Sequence, residues 1–157
     1  MLPKVELGEV SGLMKEVRSY ESQVDIATVA DELVYDVDEL FPVIDTAEAL
    51  GFIEVEDGKI RLTEVGSRFL DCKYEERSKI VKQQLLKNQQ YKSILDEIKK
   101  RGEVSKEELK EIIGKFETVD EETLTTITEK FLYYGVYSDL LEYDSRRNAI
   151  KPYESND

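Results

Sequence analysis

The sequence contains no histidine and one cysteine in 157 residues. Without imidazole, catalytic triads and acid–base schemes that use it are excluded, and structural zinc loses its commonest nitrogen ligand. Cys72 has no partner for an intrachain disulfide. In "RFLDCKYEE" it reads as a small buried or half-buried side chain on a helix, not as a reactive thiol. A phosphate loop is missing too. Gly8 and Gly12 stand too close together, and Gly114-Lys115 is followed by Phe116, with Leu109 where the first glycine should be. The chain therefore cannot hydrolyse nucleotide by the P-loop route on its own. No apolar run approaches the roughly 18–20 residues of a membrane span. The opening "MLPKVELGEV" lacks the apolar stretch of a signal peptide. A cytoplasmic location without membrane insertion is expected, and no cofactor or metal is indicated.

What the chain has is enough apolar sequence for a core, 40%, and a high charged share, 36%. That composition suits a soluble, helix-rich fold, and the length suits one ordinary domain or two small ones. Helical spacing appears first in "VSGLMKEVRSY", residues 10–20, and again in "VDIATVADELV", where Asp25 is placed to cap. Tyr35 and Asp36 form a short turn. A third helix carries Leu40, Phe41, Ile44, Ala47 and Leu50 inward, and Gly51 stops it. Pro42 fits only near a helix start, so the first turn is expected to be distorted. Phe52, Ile53 and Val55 then read as a strand, Asp57-Gly58 as a hairpin turn, and Ile60 and Leu62 as the return strand. Thr63 opens a closing helix. Three helices, a hairpin and a closing helix predict a winged helix-turn-helix.

Residues 74–86 continue as a helix, and the polar "KNQQ" at 87–90 marks a break. The pattern then recurs. One helix ends at Gly102, a second opens with the capping box Ser105–Glu108, and a third starts at Asp120 and is stopped by Gly135. "VYSDLLEYDSRRNAIKPY" supplies two short strands around a polar turn, looser than the first hairpin and without a closing helix. The predicted architecture is mainly α with small β-hairpins, an α+β tandem of winged helices. The first domain spans residues 5–73, a connecting helix and joint 74–90, and a second winged-helix-like domain 91–153.

Charge carries the functional information. The net charge is −13, and no Lys or Arg occurs between Ser19 and Gly58. The segment "DELFPVIDTAEALG", in the position of a DNA-reading helix, carries Asp38, Glu39, Asp45 and Glu48 instead. DNA binding depends on neutralising phosphates with Lys and Arg, so this surface should repel a duplex. "DVDE" at 36–39 reads as a solvated helix start, where acids are favoured, and not as a cation site. From Lys73 to Lys115 basic residues outnumber acidic ones, but they interleave as on solvated helices. Tyr133, Tyr134, Tyr137, Tyr143 and Tyr153 gather near the C-terminal end, where tyrosines either pack a hairpin or form an interface. The candidate protein-interaction surface is Asp38, Glu39, Asp45 and Glu48, together with Tyr134 and Tyr137.

Three segments, "DIATVADEL", "DELFPVIDTAEALGFIEVEDGKIRLTEVGSRFLD" and "FLYYGVYSDLLEYD", together resemble the C-terminal AAA-associated domain of ABC-transporter ATP-binding proteins of the nitrate/sulfonate/taurine type. That family shows a Leu-Gly-Phe step, an LT-x-x-G step and a late "GRYAELFDYD"-like segment, in that order. Here they correspond to Leu50-Gly51-Phe52, Leu62 to Gly66, and Gly135 to Asp144. The resemblance covers roughly residues 5–152, with Tyr134 in place of the family's tryptophan and Val136 in place of its arginine. It implies a noncatalytic accessory or regulatory module with an ABC transporter ATPase as partner, either stand-alone or a piece of a longer product. Self-association is a second partner reading. A winged-helix DNA-binding transcriptional regulator is the alternative function, supported by fold alone.

Overall fold

A computed structural model of the chain describes residues 1–21 and 23–154. The fold is mainly helical with small antiparallel strand pairs, an α+β class. It divides into two compact units, Met1–Arg77 and Ser78–Asp157.

The first unit runs α1 (Leu7–Arg18), β1 (Val24–Asp25), α2 (Ile26–Glu32), α3 (Val37–Ala49), β2 (Ile53–Glu56), β3 (Lys59–Leu62) and α4 (Glu64–Asp71). Its sheet has the order β1-β3-β2, antiparallel throughout, with Val24 opposite Ile60 and Val55 opposite the same residue on the other side. Asp57 and Gly58 both have positive φ, 52° and 73°, as a two-residue type I′ turn demands. Helix α1 packs on α3, β3 and α4 and buries Val10, Leu13, Met14 and Val17. It starts at Leu7, three residues earlier than the apolar spacing first suggested, because Leu7 itself is buried at the head of the same stripe. Leu2 and Pro3 are buried too, and the amides of Lys4 and Val5 donate to the Thr46 hydroxyl at 2.8 and 3.2 Å.

Asp25 does stand at the N-cap of α2, but its side chain makes no capping bond. Its backbone belongs to the sheet opposite Lys59, and the next amide, Ile26, donates to Gly58. Phe41 is a second departure. It is 43% exposed, whereas Val43 takes an inward place with Leu40, Ile44 and Ala47. One step along a helix turns a side chain by about 100°, so Phe41 cannot share the face of Leu40.

Helix α5 (Tyr74–Lys87) contains the boundary between the units. The break read at "KNQQ" falls at Asn88, whose side chain accepts from the Tyr91 amide and starts α6 (Gln89–Arg101). Gly102, at φ 89°, ends α6. Helix α7 (Lys106–Gly114) opens with the Ser105–Glu108 capping box, and Asp120 caps α8 (Glu121–Tyr137) by accepting from Thr123 at 2.7 Å. Strands β4 (Leu141–Asp144) and β5 (Ala149–Pro152) pair regularly over four residues each. This hairpin is as regular as the first, contrary to the irregular second wing expected from the sequence. Val104 forms an isolated bridge to Ile150, the counterpart of Val24 pairing with Ile60. Helix, short extended segment, two helices and hairpin therefore occur in both units.

Gly135 does not stop α8. The helix continues to Tyr137, and Asp139 at φ 58° takes the left-handed position, with Leu140 donating back to Gly135. Gly135 is a packing glycine instead. A Cβ there would come 2.5 Å from a Leu141 methyl and 3.0 Å from the Tyr91 hydroxyl.

Candidate functional site

Helix α3 presents the acidic segment. Asp36 is its N-cap, and the Asp36 amide donates to Glu39 at 3.4 Å. Its far end is fixed by Gly51 at φ 73°, whose amide donates to Glu48 while that of Phe52 donates to Ala47. This pair of bonds is the Schellman closure, which favours glycine at the left-handed position. Midway, the Thr46 hydroxyl donates to the Pro42 carbonyl at 2.8 Å while accepting from Lys4 and Val5. Pro42 lies beyond the first turn, yet the helix is continuous from Val37 to Ala49. Lacking an N–H, the proline leaves the Asp38 carbonyl without its helical donor.

With the inward face occupied by Leu40, Val43, Ile44 and Ala47, helical spacing places Val37, Phe41, Asp45 and Glu48 along one outward stripe with Asp38 beside it. Glu39 sits at the opposite edge. The four predicted carboxylates thus share one helix but not one cluster. Asp38 and Glu39 are exposed, and Asp45 and Glu48 half-buried. Lys4 pairs with Asp45 at 2.9 Å. Among the described residues, Asp31, Glu32, Asp36, Asp38, Glu39 and Glu48 have no ion-pair partner. Partial desolvation raises the pKa of Glu48, with Asp45 adding to it.

The cations nearest in sequence are already engaged or opposed. Arg61 pairs with Glu54 across the hairpin, and Lys59 stands opposite Glu56 on one side and Asp25 on the other. The first unit holds 8 Lys and Arg against 19 Asp and Glu, the second 14 against 16. In the second unit Arg101 pairs with Glu97 and Glu108, Lys106 with Glu129, Lys110 with Glu121, and Arg147 with Glu103. Of the basic middle, Arg101 pairs with Glu97 one turn away on its own helix, whereas Lys106 and Lys110 reach carboxylates of α8.

The two predicted tyrosines belong to the other unit. Tyr134 is fully buried, so it offers no surface to a partner, and its place in the predicted surface is corrected. Its spacing explains why: Ile127, Phe131 and Tyr134 recur on one face of α8, and all three are buried. Tyr137 is half-buried, with its ring stacked 6.4 Å from that of Tyr133. Tyr91 is also fully buried. It stacks on Phe131 at 3.9 Å and donates its hydroxyl to the Phe131 carbonyl at 2.7 Å. Burial pushes its pKa well above that of a free tyrosine, which suits a structural hydroxyl and not a proton donor.

Sequence reasoning missed the apolar part of the α3 surface. Val34 is 90% exposed, Val37 39% and Phe41 43%. Val34 holds φ 59°, a backbone region that β-branched residues rarely adopt. The signal was present in helical phase, since residues 37 and 41 lie four apart and out of step with Leu40 and Ile44. Among the described residues no group of three or more Cys, Asp and Glu side chains is placed to hold a metal ion. Nor, among the described residues, is any helix long and apolar enough to cross a membrane.

The two early sequence steps noted above meet in space. The Thr63 hydroxyl donates to the Gly51 carbonyl at 2.7 Å and accepts from the Gly66 amide at 3.1 Å, while the Thr63 amide donates to the Phe52 carbonyl at 3.0 Å. A Cβ on Gly66 would lie 2.2 Å from that same carbonyl oxygen. Leu50-Gly51-Phe52 and Leu62 to Gly66 therefore form one lock that closes α4 onto the end of α3, and Phe52 stacks on Phe69 at 4.6 Å behind it. The family model described as C-terminal AAA-associated domain matches residues 27–144, from α2 to the end of β4. No curated protein and no solved structure matches the chain.

Proposed function

The chain belongs to the C-terminal AAA-associated domain family, and from that premise we propose that it is a noncatalytic regulatory module of a transport ATPase, acting through protein contacts. The partner is the ATP-binding subunit or domain of an ABC transporter, met in the cytoplasm. The working architecture is a tandem of winged helices over residues 5–73 and 91–153 with the connecting segment 74–90. Its support is the repeated order of helix, short strand, two helices and hairpin, and the β1-β3-β2 sheet of the first unit.

The observation that carries this reading is the charge of α3. The helix that would enter a DNA groove has carboxylates on its outward side and no cation. Nonspecific DNA affinity comes almost wholly from Lys and Arg on phosphates, so the surface disfavours a nucleic acid. The regulator reading keeps only the element order in its favour. Among its described residues, the first unit's carboxylates have no histidine beside them and form no group placed to hold a metal ion.

The test mixes this chain with the candidate ATPase subunit and follows both association and ATP turnover. Association with a changed turnover rate is expected. If the subunit neither binds nor changes its rate, the regulatory reading fails. Light scattering of the chain alone reports self-association separately.

A further inference from the structure

We propose that the outward stripe of α3, Val37 and Phe41 with Val34 in the turn before the helix, docks a protein segment presenting apolar side chains flanked by Lys and Arg, most simply a basic amphipathic helix. This rests on the reading of the chain as an interaction module and names the chemistry of what it takes.

Three observations converge. Val34, Val37 and Phe41 leave 90%, 39% and 43% of their surface to solvent within eight residues of chain. Exposed apolar groups gathered in this way mark binding surfaces, because each costs hydration when uncovered. The second observation is conformational. Val34 keeps φ 59° where glycine or asparagine would sit without strain, and the backbone there is pinned by Tyr35 donating to Ala30 at 2.9 Å and Val34 to Asp31 at 3.2 Å. A strained residue that is also exposed gains nothing from packing, so its side chain is explained by what covers it. The third is charge. Asp31, Asp36, Asp38 and Glu39 are exposed close to these residues along the chain, and no cation within the described structure pairs with them. Apolar contact at the centre with carboxylates that lack an ion-pair partner at the rim selects a partner of opposite sign.

Charge argues against the other occupants. Nucleic acid and anionic lipid both present phosphate to this acidic rim. A second copy of the chain carries the same net charge of −13, which opposes its approach to this rim.

The experiment uses the full chain, labelled with nitrogen-15, and two designed helical peptides with the same leucine face. One has Lys and Arg flanks, the other Glu flanks. Titration with the basic peptide is expected to shift amide signals between residues 34 and 48, with affinity falling as salt rises. Phe41→Ser should weaken binding about tenfold, the scale of losing an aromatic anchor. Asp38→Lys, at an exposed position without a partner, keeps the fold and should weaken the basic peptide while strengthening the Glu-flanked one. The proposal is overturned if the basic peptide leaves signals 34–48 unmoved, if both peptides bind the unaltered chain equally, or if Asp38→Lys changes neither. Shifts of these signals with duplex DNA, or with protein concentration alone, also overturn it, by assigning the stripe to DNA or to a second copy. The two readings fail separately. An ATPase subunit that binds Phe41→Ser as tightly as the unaltered chain removes this stripe and leaves the regulatory role intact. A subunit that binds neither removes the role while the peptide result stands.

Discussion

Val34 combines two costs: a backbone φ of 59° and a side chain 90% open to water. The left-handed conformation costs an L-residue about 1–2 kcal/mol, and asparagine tolerates it best among residues with a side chain. Val34→Asn is therefore expected to raise stability by about 1 kcal/mol, read as a higher urea midpoint with unchanged slope, and to weaken any partner that covers the turn. A lower midpoint would show that the valine is packed in a way its exposure conceals. Glu48 makes a prediction about pH. Its folded-state pKa is raised, by desolvation first and by Asp45 second. A raised carboxyl pKa means the protonated form is favoured in the fold. That contribution is fully present below the ordinary carboxylate range and is lost as pH rises through the folded value. Glu48→Gln should thus gain about 0.2–0.5 kcal/mol at neutral pH, the scale of relieving a like-charge helix pair. The gain should vanish as pH falls below the ordinary carboxylate range, where Glu48 itself is protonated. Thermal melts of both forms across that range check it.

Elements are held by a few close approaches, and two glycines define them. Gly66 in α4 lies against the Phe52 carbonyl, a backbone atom that cannot step aside, while Gly135 in α8 lies against the side chain of Leu141 and the Tyr91 hydroxyl. Overpacking costs about 1–3 kcal/mol, and alanine returns up to about 1 kcal/mol in helix propensity. Gly66→Ala is expected to lose about 2 kcal/mol or more net, and Gly135→Ala under about 1 kcal/mol, both measured by urea unfolding. The reverse order would mean that the α3–α4 lock yields more easily than its geometry implies. Much of this scale was legible in sequence. Gly51, Asp57-Gly58, Ser105 and Asp120 each hold the turn or helix start their chemistry suggested, because such signals act locally. Gly135 was not legible. A glycine near a helix end looks the same whether it supplies positive φ or room for a neighbour, and the neighbours Leu141 and Tyr91 are six and forty-four residues away. Phe41 and Tyr134 depart from expectation for one reason: helical phase, not aromatic character, puts Phe41 outward and Tyr134 inward.

At the scale of the molecule, the acidity belongs to one unit. With 19 carboxylates against 8 cations, the first unit repels itself, whereas the second is close to balanced at 16 against 14. Screening by salt relieves exposed repulsion over about a Debye length of 10 Å at 0.1 M. Added sodium chloride should accordingly slow amide exchange in α3, at Leu40 to Ala47, more than in α8, at Ile127 to Phe131. An equal response in both would show that the asymmetry has no energetic weight. This asymmetry was visible in the sequence before any fold was known, since charge is additive along the chain. The stripe of Val34, Val37 and Phe41 that it surrounds became visible only when the phase of α3 was fixed by its packing.

The central claim is that a carboxylate-bearing α3 meets proteins and not phosphates. Its most direct test is fluorescence anisotropy of a labelled DNA duplex titrated with this chain at low ionic strength, where phosphate attraction is strongest. The account predicts no rise in anisotropy through the micromolar range in which ordinary nonspecific binders saturate, with dissociation constants of about 10⁻⁴–10⁻⁶ M at physiological salt. A tight, salt-sensitive rise that Asp38→Lys strengthens would contradict it.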